Sequence, residues 1–228
     1  MSLRLDARLN SAAALVRGGR LADVGTDHAY LPVALLLMGK IEYAVASDIN
    51  KGPLARARKT VAENGVEKKV DLVLCNGLDG IEKYKPDDIT ILGMGGELIA
   101  DIIEAAEWVK DSRYRLILQP MTRREVLREY LLTHGFLITD EQMSRADGRI
   151  YQTICAEYVG YNTEYDLSEL LLGRHNIQRG GELFDAYVAR LYDTYRARLE
   201  NKSEAGADVT QERAVLDALS EFLTTVGE

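Results

Sequence analysis

Cysteine is scarce: the 228 residues hold two, Cys75 and Cys155, 80 positions apart in predicted strands. That spacing suits neither a zinc site nor a disulfide framework, and buried reduced thiols are the expectation. Only four prolines occur, none after residue 120, so nothing interrupts helices in the last part of the chain. No apolar run reaches the roughly 18 to 20 residues that cross a bilayer, and Met1-Ser2-Leu3-Arg4 lacks the apolar stretch of a signal peptide. A cytoplasmic protein with no membrane segment and no metal is therefore expected. Basic residues are also in deficit, 28 Lys and Arg against 36 Asp and Glu, which argues against a chain that simply coats nucleic acid. The deficit is uneven, 21 against 23 in residues 1–160 and 7 against 13 in residues 161–228. Any RNA-binding surface must be a local patch.

What the chain does have is 46% hydrophobic residues, enough for one domain of ordinary size and a smaller appendage. Residues 3–17 place Leu5, Leu9, Ala12, Ala13 and Val16 on one helical stripe, with Arg4, Arg8 and Arg17 among the other positions, as a lid helix with a solvated basic face or one that contacts the substrate. Predicted strands 21–24, 43–49, 70–75, 88–92 and 115–119 then alternate with predicted helices 31–38, 51–64, 97–110 and 122–134. Two extended runs, 136–144 and 149–159, flank Arg145-Ala146-Asp147-Gly148, and Asp-Gly between such runs is a hairpin signal. Five β-α repeats and a hairpin give a mostly parallel seven-stranded sheet with one antiparallel strand and helices on both faces. Beyond residue 160 a helical segment over 166–175 leads to two long apolar stripes, Phe184, Val188, Leu191 and Tyr195, then Val209, Leu216, Leu219, Leu223 and Val226. Their 3-4 spacing predicts an antiparallel coiled-coil hairpin. The expected division is a catalytic domain over 1–160 and a helical domain over 161–228.

The chemistry concentrates in Asp23-Val24-Gly25-Thr26-Asp27-His28-Ala29-Tyr30-Leu31-Pro32, a strand that breaks at a glycine and enters a helix. Asp48 ends the next strand, 23 residues after Gly25, the spacing at which a second-strand carboxylate meets a ribose. Asp48 can equally be a helix N-cap, and Asn76-Gly77 only a turn. A dinucleotide site needs Gly-x-Gly-x-x-Gly to bring a pyrophosphate onto backbone amides. Here Asp27 and Tyr30 stand at the second and third glycine positions, and Asp27 would repel the pyrophosphate. S-adenosylmethionine, which carries ribose, adenine, an ammonium and a sulfonium but no phosphate, suits the acids Asp23, Asp27 and Asp48.

Residues 21–160 resemble a class I S-adenosylmethionine-dependent methyltransferase domain with a Rossmann-like fold. The motif over 23–32, with Gly93-Met94-Gly95-Gly96 and Leu118-Gln119-Pro120, is similar to the bacterial tRNA adenine-N1 methyltransferase family acting on tRNA position 22, which also carries a C-terminal coiled coil. The resemblance implies that Asp23, Gly25, Asp27, His28, Leu31, Ile49 and Gly93 bind the cofactor, with Gly25 letting the backbone approach its methionine part and Asp27 meeting its ammonium. It further implies that Asp48 accepts both ribose hydroxyls, and that Asn76, Gly77, Leu78 and Asp79 border the adenine. His28 can also be a packing residue, and Tyr30 stacks on a target base or merely packs. Catalysis is expected from Asp27, Tyr30, Gly93, Met94 and Gly95, with Gln119 to Met121 on the substrate side.

Enzymes that methylate exocyclic amines carry Asn/Asp-Pro-Pro-Tyr/Phe after strand 4, and this chain does not. An adenine N1 offers a free lone pair, so alignment can suffice, with a carboxylate to stabilise the positive charge that develops. Arg123, Arg124 and Arg128, or Arg145 and Arg149, or Arg174, His175 and Arg179, are candidate phosphate contacts. Each group can equally be a solvated face. The expected partner is tRNA, and the expected state a monomer or weak dimer. The alternatives are a methyltransferase for another RNA site or a small molecule, and a non-catalytic binder on the same fold.

Overall fold

Asp6 starts the first helix by accepting the Leu9 N–H at 2.7 Å. In the computed structural model, which describes residues 3–223, this helix, α1 (Ala7–Leu15), precedes strand β1 (Arg20–Val24). It stops two residues short of the sequence expectation for a local reason. The buried Asp88 carboxylate takes the Arg17 backbone N–H at 2.6 Å and the Arg17 Nε at 2.8 Å, drawing the chain out of the helix. Arg17 is thus pinned, not part of a solvated face.

The alternation continues through α2 (Tyr30–Leu37), β2 (Tyr43–Asp48), α3 (Lys51–Glu63), β3 (Val70–Leu74), β4 (Asp88–Met94), α4 (Gly96–Glu104), β5 (Arg115–Pro120), α5 (Arg124–Thr133), β6 (Phe136–Ala146) and β7 (Arg149–Tyr158). The α2 helix is apolar all round, with Pro32 in its first turn and Leu31 to Leu36 buried, as a helix enclosed by a core must be. The helix expected to reach residue 110 ends at Glu104, and a 3-10 turn over Glu107–Val109 buries Val109. Cys75 lies just past β3, half-buried, and Cys155 is buried in β7.

The seven strands form one sheet in the order β3-β2-β1-β4-β5-β7-β6, with β7 antiparallel to both neighbours and the first five parallel. The order reverses between β1 and β4, so a crevice opens at their carboxyl ends. A bulge between Leu92 and Met94 takes Gly93 out of register with β5, at φ 81°, and turns the backbone toward that crevice. Gly96 opens α4 against the loop before α5, where a Cβ would collide with the Arg123 carbonyl oxygen. That packing admits only glycine.

Arg128 corrects an expectation. It is buried in α5, donating from Nε to Glu141 at 2.7 Å and from Nη2 to Gln152 at 2.5 Å. It ties the helix to the β6–β7 hairpin, and breaking such a pair costs about 3 to 5 kcal/mol. It is no phosphate contact.

The chain divides into two compact units, the first ending at Thr163 and the second starting at Glu164. The second contains α6 (Leu167–Leu172), α7 (Arg174–Arg179), α8 (Glu182–Glu204) and α9 (Thr210–Leu223). The single helix expected over 166–175 is broken at Gly173, φ 89°. Lys202 pairs with Glu212 at 2.7 Å, and Phe184 meets Phe222 edge-on at 6.0 Å, so α8 and α9 run antiparallel. Burial along the pair is uneven: Phe184, Tyr187, Val188, Val215 and Leu219 are buried, whereas Leu191, Tyr195, Leu216 and Leu223 are only half-buried. Val226 of the second stripe lies outside the described residues.

Candidate active site

The loop after β1 takes a glycine-rich path with few glycines. Gly25, Asp27 and Ala29 all have left-handed backbones, φ 71°, 49° and 55°, and holding a non-glycine residue there costs about 1 to 2 kcal/mol. The surroundings enforce it. Gly25 and Thr26 both donate N–H to the Ser47 carbonyl, at 2.8 and 2.9 Å, and the Ala29 N–H donates to the Thr26 carbonyl at 2.9 Å. A Cβ on Gly25 would collide with Met94 Cε, so β4 closes on the loop from the other side. Strain of this kind persists where the site needs the geometry.

Asp23, at the end of β1, is buried and accepts hydroxyl bonds from Thr26 at 2.5 Å and Thr90 at 2.7 Å. Burial pushes its carboxyl above the ordinary value of 3.8, against the pull of the two hydroxyls and of Arg8. Asp27 is exposed and differently engaged: Arg56 of α3 donates to it from Nε at 3.2 Å and closes an ion pair through Nη2, and His28 Nε2 stands 3.7 Å away. The His28 ring stacks on Tyr30, centroids 4.9 Å apart.

These residues line a cavity of about 540 Å³ in the crevice. Asp23, Gly25, Asp27, His28, Tyr30, Leu31 and Gly93, all expected from the sequence, are in its wall, as is Met121. Asn76, Gly77, Leu78 and Asp79 line a separate recess of about 130 Å³ against α4. Met94, Gly95, Asp48 and Ile49 line neither. Asp48 Oδ1 accepts the Asn50 N–H at 2.9 Å, while the N-cap position of α3 is Asn50 itself. Its Oδ2 has no hydrogen-bond partner among the described residues, and the Ile49 side chain beside it is 61% exposed.

The rest of the wall is Thr26 and Leu92 together with residues that sequence reasoning did not select as site residues: Asp6, the N-cap of α1, Arg8 and Leu9 of α1, and Asp147 and Tyr151 of the hairpin. Arg8 is not on a solvated face. Its Nη1 donates to Gln119 Oε1 at 3.1 Å, and its guanidinium lies 5.8 Å from the Tyr151 ring centroid. Gln119, fully buried at the end of β5, donates in turn to Thr153 Oγ1 at 2.8 Å and to the Arg8 carbonyl at 3.1 Å. Four carboxylates (Asp6, Asp23, Asp27, Asp147) against one arginine make a wall that attracts cationic groups and repels phosphate. Among the described residues no acidic, His or Cys cluster could hold a metal, and no helix is long and apolar enough to cross a membrane.

Residues 5–154 match the model of a methyltransferase domain family. Over 172 residues the chain is 37% identical to the tRNA (adenine(22)-N(1))-methyltransferase of Bacillus subtilis, covering 75% of this chain and 72% of that one. The crystal structure of the B. subtilis m1A22 tRNA methyltransferase superposes with a TM-score of 0.82 at 32% identity, over 97% of both chains. A Streptococcus pneumoniae protein crystallised with S-adenosyl-L-methionine superposes at 0.86, with 31% identity over 96% of this chain and all of that one. Sequence motif, strand order and these likenesses agree, and the chain belongs to the bacterial tRNA (adenine(22)-N(1))-methyltransferase family of class I methyltransferases.

Proposed function

We propose that the protein transfers a methyl group from S-adenosylmethionine to N1 of adenine 22 of tRNA. The observation that carries this reading is the likeness, over nearly the whole of both chains, to a solved enzyme of that specificity. The site fits the cofactor. Its glycine-like loop admits a close approach, and its carboxylates suit a ligand that bears an ammonium and a sulfonium but no phosphate.

When bound, the cofactor supplies a methyl on a sulfonium sulfur, which the adenine N1 lone pair accepts as the carbon–sulfur bond breaks and the positive charge moves to the base. The chain holds the two partners in line. Asp23 faces the cofactor's ammonium, with Asp27 beside it. The unpartnered oxygen of Asp48 accepts the ribose hydroxyls, Ile49 covers the adenine, and Asn76, Gly77, Leu78 and Asp79 border it. Gly93, bulged out of β4, leaves room for the target base, and Tyr30 offers its ring to that base. Met94 acts by holding Gly25, and Gly95 by starting α4. No general base is needed, because N1 carries no proton at neutral pH, and the acidic wall stabilises the developing cation. The base is engaged in folded tRNA, so it is extruded at a cost of a few kcal/mol. The enzyme acts in the cytoplasm, where tRNA is found, as a monomer or weak dimer.

Mass spectrometry of nucleosides from unmodified tRNA incubated with the enzyme and S-adenosylmethionine tests this reading. The expected product is 1-methyladenosine at one position per tRNA. Recovery of N6-methyladenosine alone, or of no methylated adenosine, overturns it. Asp48→Ala removes the ribose acceptor without core volume, and hydrogen bonds to a charged group contribute about 1.5 to 3 kcal/mol each. Calorimetric titration should therefore show S-adenosylmethionine bound at least about tenfold more weakly by a variant with an unchanged melting temperature. Unchanged affinity would leave Asp48 only its turn at Asn50.

A further inference from the structure

Most arginines of the first unit have found partners. Arg8, Arg17, Arg20, Arg56, Arg113, Arg115, Arg123, Arg124 and Arg128 each hold a carboxylate, a carbonyl or a side-chain amide. Among the described residues of the first unit four hold none: Arg4, Arg58, Arg145 and Arg149. Three of these four lie within two residues of the cavity wall. Arg4 precedes Asp6, and Arg145 and Arg149 bracket Asp147.

The hairpin register places them further. Asp147 and Gly148 form a two-residue turn with φ 48° and 72°, closed by the pair Ala146–Arg149, a geometry of the tight I′ kind that fixes its flanks. Side chains alternate along a strand, and directly paired residues share a face. Arg149 therefore shares a face with Tyr151, which lines the cavity, whereas Arg145, paired with Ile150, is on the other face. Both arginines are exposed. The tip thus carries one unpaired guanidinium on each side of a carboxylate that belongs to the wall.

The acidic wall takes an uncharged base and refuses its phosphates, which must stay outside. Resting on the function proposed above, we infer that Arg145 and Arg149, with Arg4, which lies two residues before Asp6 of the wall, hold the backbone phosphates flanking the extruded adenosine. The tip of the β6–β7 hairpin is then an RNA-backbone clamp. An arginine fork matches phosphate geometry, and such contacts position a nucleic acid without reading its sequence.

The test uses the full-length protein and unmodified tRNA, with binding measured over a series of salt concentrations. In the double variant Arg145→Ala, Arg149→Ala, tRNA affinity at moderate salt should fall at least about tenfold. The slope of log affinity against log salt should shrink by about 1.5 in magnitude, as two phosphate contacts require. S-adenosylmethionine affinity and melting temperature should stay as in the wild type, since both side chains are exposed. The double lysine variant should keep the wild-type slope. Arg58→Ala is the control: Arg58 is also unpaired, but it lies two residues beyond Arg56 on α3 and so points away from the Asp27 side of the helix. An unchanged affinity and slope in the double alanine variant, or an equal loss in Arg58→Ala, overturns the clamp. If wild-type enzyme methylates tRNA and the double variant binds it normally, only the clamp fails; if wild-type enzyme does not methylate tRNA, the functional reading fails first.

Discussion

Asp23→Asn should leave the protein at least as stable to heat as the wild type while cofactor affinity falls by about 10- to 150-fold and methyl transfer with it. The carboxylate is buried between the Thr26 and Thr90 hydroxyls, and burial holds its pKa above the ordinary 3.8. A folded-state pKa above the unfolded one means that the native protein binds more protons over the interval between the two. Stability therefore falls as pH rises from about 3.8 through the native value, because burial penalises the charged form. Asparagine keeps the shape and removes the charge. Its oxygen can still accept from Thr26, and its amide can donate to Thr90, whose hydroxyl already has the Ala22 carbonyl at 3.2 Å as a second acceptor. What is lost, on the proposed function, is the carboxylate facing the cofactor's ammonium, an interaction of about 1.5 to 3 kcal/mol. Calorimetry of unfolding between pH 4 and 8, with titration of S-adenosylmethionine, checks both halves. A variant destabilised by more than 2 kcal/mol on the scale of a lost buried hydrogen bond, or one that binds cofactor normally, would show that Asp23 is structural.

That trade between stability and binding was partly legible in the chain. Asp23, Gly25 and Asp48 announce themselves by spacing, because a strand that ends in a turn and re-enters a helix leaves a local record in apolar runs and turn residues. The strand boundaries follow for the same reason, and the hairpin at Asp147-Gly148 was visible as a dipeptide. The far wall of the cavity left no such record. Arg8, Asp147 and Tyr151 are separated by up to 143 positions and meet only because β7 enters the sheet between β5 and β6. Charged side chains misled where burial decides: Arg128 and Arg17 look solvated in a helical pattern, yet each is held by a fully buried acid, Glu141 and Asp88. The left-handed backbone at Asp27 and Ala29 was equally silent. Residue type argues against it, and only contacts from Ser47 and Thr26 impose it.

Deleting everything from Glu164 onward should remove most tRNA binding, about 100-fold, and leave S-adenosylmethionine affinity within about twofold of the wild type, both within what loss of a few phosphate contacts does and does not touch. The reason is how the chain is apportioned. All seven strands end before Thr163, and every residue lining either recess lies between Asp6 and Tyr151, so both recesses are complete without the second unit. On the proposed function the two recesses take a cofactor and one nucleotide, whereas choosing one adenine in a folded tRNA needs contacts well beyond that nucleotide. The helical hairpin offers them despite its acidic balance. Arg190 is exposed on α8, Arg196 is held only by an exposed pair with Asp193 at 3.2 Å, and Arg198 lies 4.8 Å from the Tyr195 ring centroid. Exposed pairs of this kind contribute about 1 kcal/mol or less, so a phosphate can displace the aspartate. The lost affinity should be strongly salt-dependent, and restoring it should require the hairpin arginines. If the truncated enzyme methylates full-length tRNA at the wild-type rate, at moderate salt and low tRNA concentration, the hairpin has no part in recognition and serves solubility or self-association instead.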